Sequence, residues 1–227
     1  DSIPVDTIAF HYPDQDSFPP PPSEQNFDME AMFFFNDSLY LFSKNRTSPF
    51  DGYTKLYRLP AVPGVYEATL LDSFQTGTSG SFVQWWITAA DISPDGETVV
   101  LLGHDKVWVF TAFSGDDFFG GNVLQLNLPH HTQKEAICFY DTTKIYITDE
   151  ELLAGFGGKP YRADLAPWII VGNNENADET PGALKIYPNA AGDFIYLEMP
   201  FFTNDEVVVK IFDNRGEMAL KLSLIHI

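Results

Sequence analysis

One short pattern occurs three times along the chain, and this repetition restricts the folds that the sequence can adopt. Each copy has an acidic residue, an apolar segment, a turn and a second apolar segment. The copies begin within residues 28–33, 88–93 and 134–139, and their turns are Asn36-Asp37, Asp95-Gly96 and Asp141-Thr142. Alternating β-branched and aromatic residues interrupted by such turns are typical of antiparallel hairpins. We therefore predict an all-β chain without an amphipathic helix.

The first two copies continue into further apolar segments. These segments are 55–59 and 66–74 in the first copy, and 107–110 and 123–128 in the second. A four-stranded meander of this kind buries both faces only when it stacks against neighbouring sheets, as the blades of a propeller do. We predict a partial β-propeller with four-stranded blades over residues 1–165: a lone outer strand at 5–12, two full blades and one partial blade. Because so few blades do not close a ring, we expect that the protein has additional blades before residue 1.

Composition excludes several classes of protein. The chain has 32 acidic and 13 basic residues and a net charge of −19, so its field repels nucleic acid, and we predict no nucleic-acid partner. Hydrophobic residues make up 44% of the sequence and aromatic residues 15%, which is too apolar for a disordered polyanion. No apolar run approaches the roughly 18 residues of a membrane helix, so we expect no transmembrane segment.

Beyond residue 165 the sequence changes character. Residues 166–183 are predicted to be a polar, acidic linker, and residues 184–227 a separate small β unit. The unit carries six residues of a recognisable motif: Tyr187, Pro188, Asn189, Asp193, Asp213 and Gly216. On these residues it resembles the carboxy-terminal sorting domain, a small β-sandwich-like domain, of type IX secretion cargo from Bacteroidota. The resemblance implies a secreted or outer-membrane surface protein that uses the type IX secretion machinery.

Three further segments carry a more distant resemblance. Residues 27–31, 38–44 and 59–64 are similar to segments of uncharacterised propellers in such cargo, which are distantly like the phytase-like and SdiA-regulated propellers. This resemblance implies a fold and a cellular address and transfers no activity.

Three acidic residues are the leading candidates for a site. In a propeller the first strand of each blade lines the central channel, so we expect Glu30, Asp91 and Glu135 to project toward one axis. Converging carboxylates repel one another unless a cation neutralises them, and calcium accepts six to eight oxygen ligands. One interpretation is a channel calcium site. The alternative is that each carboxylate accepts backbone hydrogen bonds from the next blade and ties the blades together.

Other polar candidates have two interpretations each. His130 and His131 are either metal ligands or a base, or they belong to an exposed loop. Residues 149–151 and 116–117 are acidic pairs or runs that either bind calcium at a rim or form a solvated face. We interpret His104 and Asp105 as a solvated turn.

Aromatic residues and the single cysteine complete the set of candidates. Phe82, Trp85 and Trp86 form either a carbohydrate platform or part of the core between blades, and we favour the core. Cys138 lies in an apolar strand, so we predict a buried structural thiol.

The sequence favours a binding or scaffold module with an unknown extracellular ligand and a calcium site in the channel. The alternative is a calcium-dependent propeller hydrolase that acts on a phosphate ester, a lactone or another ester, with Glu30, Asp91 and Glu135 as its metal ligands. The two differ because the enzyme needs an open channel with a metal and a base, whereas the scaffold needs only hydrogen bonds between blades.

Overall fold

The computed structural model describes residues 3, 5–129, 132–151, 157–169, 185–187, 196–198, 207–212 and 218–224. The chain divides into two compact units, Asp1–Ile170 and Val171–Ile227. In these described ranges, strands dominate and the helical segments are three short 3₁₀ turns at Pro22–Glu24, Phe82–Trp85 and Phe118–Gly120. The all-β prediction is confirmed, while the predicted domain boundaries at residues 165 and 183 stay predictions.

The first unit contains thirteen described strands. They are β1 (Ile8–His11), β2 (Asp28–Phe35), β3 (Ser38–Lys44), β4 (Tyr53–Pro60), β5 (Gly64–Glu67), β6 (Thr69–Gln75), β7 (Ala89–Ile92), β8 (Thr98–Leu102), β9 (Lys106–Thr111), β10 (Asn122–Asn127), β11 (Lys134–Phe139), β12 (Lys144–Asp149) and β13 (Pro160–Asp164). All of them except β1 and β5 form antiparallel sheets, in the orders β2-β3-β4-β6, β7-β8-β9-β10 and β11-β12-β13. We refer to these as the first, second and third sheets. Each sheet is an open meander, and each begins with one of the three predicted repeats.

Turn residues fix the first hairpin. Phe35 pairs with Ser38, which leaves a loop of two residues between β2 and β3. Asn36 and Asp37 in this loop have positive φ angles of 46° and 56°. Two-residue hairpin loops favour this backbone because it matches the right-handed twist of the strands, and Asn and Asp tolerate it better than most residues. The predicted turn is confirmed.

The amino-terminal strand differs from its prediction. Instead of standing alone, β1 pairs with β5 in parallel, with Ile8 opposite Gly64 and His11 opposite Glu67. The sequence analysis assigned one strand to residues 66–74, but the chain forms β5 and β6 there, and β5 leaves the first sheet to pair with β1. The lone-strand prediction was wrong because a parallel partner distant in sequence gives no local turn signal.

Three apolar clusters lie between these layers. One cluster joins the first and second sheets and includes Phe42, Leu101 and Phe110, which are fully buried. A second cluster joins the second and third sheets, and a third packs the first sheet against the region of Tyr12 and β5. The strand β7 contacts both β2 and β11, so the initial strands of successive sheets are neighbours in space.

The second unit contains two described hairpins. In one hairpin β14 (Lys185–Tyr187) pairs antiparallel with β15 (Tyr196–Glu198). In the other β16 (Val207–Phe212) pairs antiparallel with β17 (Met218–Leu224). The β character predicted for residues 184–227 is confirmed in these strands, and the sandwich-like arrangement stays a prediction. Among the described residues, no helix has the length and apolar character that crossing a membrane requires.

Candidate functional site

Two of the three candidate acids occupy β-bulges. In the first sheet Met29 pairs with Ser43 and Ala31 with Phe42, so Glu30 is an extra residue without a partner of its own across the ladder. In the third sheet the pairing skips Glu135 in the same way. A bulge redirects the side chain of the extra residue and increases the local twist. The sequence alone gave no indication of these bulges.

The third acid occupies a different position along its strand from the two glutamates. Counting back from the last pair of each hairpin, Ala31, Ala89 and Ala136 occupy equivalent positions, four residues before Phe35, Ser93 and Tyr140. The residue before this alanine is glutamate in the first and third sheets but Thr88 in the second. Asp91 therefore lies three residues further along its strand than the positions of the two glutamates, and the projection of all three acids toward one axis stays a prediction. The acids of the three repeats do not mark equivalent strand positions, because the second repeat carries its acid three residues later.

Asp91 and Thr88 tie the second sheet to the third. The backbone N–H of Phe139 donates a hydrogen bond of 2.7 Å to Asp91 Oδ2, and Thr88 Oγ1 donates one of 2.6 Å to the carbonyl of Lys134. The bond of Asp91 joins β7 to β11, and that of Thr88 joins the residue before β7 to β11. For Asp91 this is the contact expected under the alternative interpretation, in which a carboxylate connects sheets without a metal. Burial raises the pKa of Asp91, and the hydrogen bonds from Phe139 and Ile92 oppose this increase.

Glu30 belongs to an ion network where β2 begins and β3 ends. Lys44 Nζ donates to Glu30 Oε2 at 2.6 Å, and Arg46 Nη2 donates to Glu30 Oε1 at 3.2 Å. Arg46 Nε also donates to Asp28 Oδ2 at 2.5 Å. Two carboxylates thus hold the guanidinium of Arg46 in a fixed orientation, while the ammonium of Lys44 is buried beside them.

Glu135 lies within electrostatic range of this network. Burial is the main reason that the pKa of Glu135 is raised, and the charges of Glu30 and Glu150 raise it further. The positive charge of Lys44 acts in the opposite direction. The charges of Glu30, Glu150 and Lys44 therefore all act on Glu135, and the predicted convergence of the candidate acids on one axis stays a prediction.

Metal binding at these residues stays a prediction. Within the parts of the chain that the structure describes, no three His, Cys, Asp or Glu side chains are grouped so that they could hold a metal ion. Glu30 is engaged by cations and Asp91 by a backbone amide, so neither is presented as an open ligand. The calcium site and the calcium-dependent hydrolase remain hypotheses from the sequence.

Each sheet places one buried lysine over an aromatic ring. Lys44 lies 5.0 Å from the centroid of Trp86, Lys106 lies 4.5 Å from that of Trp85, and Lys134 lies 5.7 Å from that of Tyr161. Arg46 also lies over Trp86, with its Cζ 5.0 Å from the centroid. Cations over aromatic faces are attracted by the ring quadrupole, most strongly where water is excluded.

Phe82, Trp85 and Trp86, predicted as a carbohydrate platform or as core, differ in how far they are buried. Trp85 is partly buried and packs against the cluster that joins the first and second sheets, and its Nε1 donates to the carbonyl of Ser79 at 2.7 Å. Trp86 is half-buried beneath Lys44 and Arg46. Phe82 is 50% exposed and lies 5.3 Å from Trp86. The core interpretation describes Trp85, whereas Phe82 stands at the surface.

Two predictions of burial were wrong. His104 was predicted to lie in a solvated turn, but it is buried, and its carbonyl accepts a hydrogen bond from Lys134 Nζ at 2.9 Å. Cys138 was predicted to be buried, but it is exposed. On β11 the side chain of Ile137 enters the core with the second sheet, so strand alternation turns Cys138 to the opposite face.

The remaining candidates have structural partners or fall outside the described ranges. Asp149 is buried and accepts hydrogen bonds from Lys159 N and Tyr161 Oη, and Asp116 pairs with Arg58. His130 and His131 lie outside the described residues. In the sorting motif Tyr187 ends β14, while Pro188, Asn189, Asp193, Asp213 and Gly216 lie outside the described residues.

A groove lies beside the ion network. It has a volume of about 340 Å³ and is lined by Tyr12, Gln15, Phe18, Pro20, Gln25, Phe27, Asp28 and Arg46. We call this cavity the aromatic groove. The lining residues come from the proline-rich segment after β1, from the start of β2 and from Arg46. Phe18 is 92% exposed, and the rings of Tyr12 and Phe27 lie 5.3 Å apart.

Sequence analysis did not single out the aromatic groove. Most of its lining comes from residues 12–28, to which no binding role was assigned from the sequence, and from Arg46, whose partners are distant in sequence. One signal was available in retrospect: Tyr12, Phe18 and Phe27 place aromatic rings in a segment rich in proline, which a loop that only connects strands does not require.

Comparison with known proteins yields little. No protein-family model matches the chain, and no curated protein matches it. Among solved structures, the chain is similar to an uncharacterized protein from Listeria monocytogenes EGD-e at 10% identity and a TM-score of 0.25. That match covers 89% of this chain and 67% of the other.

Proposed function

We propose that this chain is a binding module whose three sheets are consecutive blades of a β-propeller, and that its ligand occupies the aromatic groove. The observation that carries the binding role is the lining of the groove. Exposed aromatic surface stands there beside amide, carboxylate and guanidinium groups, a combination that small-molecule sites share.

The arrangement of the sheets supports the propeller part of the proposal. Successive sheets pack face to face through continuous apolar clusters, and their initial strands β2, β7 and β11 are neighbours in chain order. Propeller blades stack in this way because a single four-stranded meander cannot bury both faces. Asp91 on β7 and Thr88 just before it add hydrogen bonds to the neighbouring initial strand β11.

The ion network supports the ligand position. Asp28 and Glu30 hold Arg46 at the wall of the groove, and the ring of Trp86 lies behind the guanidinium. A polar group that is fixed before the ligand arrives loses less conformational entropy on binding than a mobile one. Arg46 is therefore a preorganised part of the groove.

Ligand-detected NMR on the full chain tests the binding role. The probes are neutral trisaccharides, trigalacturonic acid and a decaproline peptide, each with the wild-type chain and with Phe18→Ala. We expect saturation transfer to at least one class of probe, and its loss in Phe18→Ala. Absence of transfer to every class, or transfer that Phe18→Ala leaves unchanged, would refute binding in the aromatic groove.

We also propose that residues 184–227 direct export. The resemblance of this region to type IX sorting domains supports the proposal, as do the two β-hairpins formed within it. The full chain, placed behind a cleavable leader in a Bacteroidota host, is expected outside the cell when the type IX machinery is intact. It is expected in the periplasm of a host that lacks this machinery, and equal localisation in both hosts contradicts the proposal.

A further inference from the structure

We infer that the ligand of the aromatic groove is a neutral saccharide. This inference rests on the proposed binding function and specifies its ligand class. Four features of the groove support it: an exposed ring, a mixed set of hydrogen-bonding groups, balanced charge and a small volume.

The exposed ring supplies an apolar platform. Phe18 lines the groove with 92% of its surface exposed, so the fold itself buries almost none of this ring. Tyr12 and Phe27, whose rings are in contact, add further aromatic surface to the lining. The C–H face of a pyranose ring is apolar and flat, and it covers an aromatic face without requiring hydrogen-bond partners there.

The polar lining both donates and accepts hydrogen bonds. Gln15 and Gln25 provide amides with donors and acceptors, Asp28 provides a carboxylate and Arg46 provides N–H donors. Burial, and then the charges of Asp28 and Asp14, raise the pKa of Tyr12 to about 12, so its hydroxyl is protonated at neutral pH. Saccharide hydroxyls act as donor and acceptor at once, and they match such a mixed set better than a ligand of one polarity.

Charge favours a neutral ligand. Asp28 and Arg46 form an ion pair within the groove, so the two charged residues of the lining cancel. The chain as a whole carries a net charge of −19, which repels acidic ligands from its surface. An acidic saccharide would therefore lose affinity relative to a neutral one of the same size.

A proline-rich peptide is the competing ligand for an aromatic groove. Aromatic-lined grooves bind such peptides in the polyproline II conformation. Proline lacks a backbone N–H, so a run of prolines offers no donor to the amide oxygens of Gln15 and Gln25 or to the acceptor sites of Asp28 that Arg46 leaves open. The volume of about 340 Å³ also lies at the small end of the range for ligand sites, which suits a short saccharide.

Isothermal titration of the full chain tests the inference. The probes are cellotriose, laminaritriose, xylotriose and maltotriose, with trigalacturonic acid and decaproline as the competing classes. We expect a neutral trisaccharide to bind more tightly than either competitor. Phe18→Ala should raise its Kd by about tenfold or more, and Gln25→Ala, which removes one polar group, by about threefold.

A matched variant controls for general effects of removing an exposed phenylalanine. Phe34 on β2 is 59% exposed and does not line the groove, so Phe34→Ala should leave the Kd within about twofold of the wild-type value. If trigalacturonic acid or decaproline binds through Phe18 and the neutral trisaccharides do not, the inference of a neutral saccharide ligand is refuted. The proposed binding function of the aromatic groove is then still supported. If a neutral trisaccharide binds with the same Kd to Phe18→Ala, the assignment to this groove is overturned.

Discussion

The hydrogen bond between Asp91 and the Phe139 amide permits a sharp test of how the second and third sheets are held together. Asp91→Ala removes the acceptor and leaves the N–H of Phe139 without the partner that it has at 2.7 Å. Asp91→Asn keeps a carbonyl oxygen of the same geometry and removes the charge. The two variants therefore separate the hydrogen bond from the cost of burying a carboxylate.

The structure sets the expected size of the effect. Removal of one partner from a partly buried hydrogen bond, so that the other is left unsatisfied, costs about 1–3 kcal/mol. We expect Asp91→Ala to lower the free energy of unfolding by about 2 kcal/mol. Burial disfavours the charged form of Asp91, so Asp91→Asn should remain within about 0.5 kcal/mol of the wild type at pH 7 or exceed it.

Equilibrium unfolding in urea, followed by tryptophan fluorescence, measures this difference. All four tryptophans, at positions 85, 86, 108 and 168, lie in the first unit, so the signal reports that unit. With an m-value of about 2 kcal/mol/M, the midpoint of Asp91→Ala should fall by about 1 M urea. Glu97→Ala, at an exposed position in the turn of the second sheet, is the control and should shift little. Equal losses in the alanine and asparagine variants would refute the reasoning.

The same pair of variants predicts a pH dependence. The pKa of Asp91 is raised above its ordinary value of 3.8 in the folded chain, so the native state binds the proton more tightly than the unfolded state. The contribution of Asp91 to stability is therefore greatest below pH 3.8 and declines as the pH rises through the folded-state pKa. The stability of Asp91→Asn relative to the wild type should increase over that interval and then level off. A difference that does not vary with pH would contradict the raised pKa.

Two further predictions concern packing and association. Gly52 and Gly115 both have positive φ, but a Cβ on Gly52 would lie 2.3 Å from the carbonyl oxygen of Gly77, whereas one on Gly115 would meet nothing within 4 Å. In urea unfolding, Gly52→Ala should cost about 3 kcal/mol and Gly115→Ala about 1, and equal losses would contradict the predicted clash. Met32 and Phe34 are 55% and 59% exposed on β2, so the full chain should self-associate in light scattering, and Phe34→Ser should reduce this. A monodisperse wild-type monomer at every concentration would refute that expectation.

Local signals in the sequence were sufficient to predict the hairpins that open the first, second and third sheets. Turns such as Asn36-Asp37 and Asp95-Gly96 depend on the backbone preferences of two adjacent residues, and the apolar alternation of the flanking strands depends on nothing distant. These features located the four strands of the first and second sheets. The parallel pairing of β1 with β5 depends on a partner far along the chain, and no local pattern encodes it.

The site was less predictable than the sheets. An acid in each repeat suggested three equivalent side chains, but equivalence is set by the pairing register, and the bulges at Glu30 and Glu135 shift that register. Likewise, Lys44 and Arg46 gain their roles from Trp86 and from carboxylates on another strand. Sequence patterns show which faces of a strand are apolar, but they do not show which charged side chains meet at its end.

The bulges also determine where the chain can change length. Because Glu30 is the extra residue opposite the Ser43–Phe42 step, its deletion would leave a regular ladder in which Ala31 and Phe33 still face the core. Deletion of Met32 would instead shift the residues before it by one position against β3, because the two-residue turn fixes the register of the residues after it, and Ala31 would turn away from the core. Glu135 is likewise the extra residue of the bulge in β11, so its deletion would also leave a regular ladder. Single-residue insertions and deletions among relatives of this protein should therefore concentrate at these two glutamates and be excluded from the strand segments that follow them.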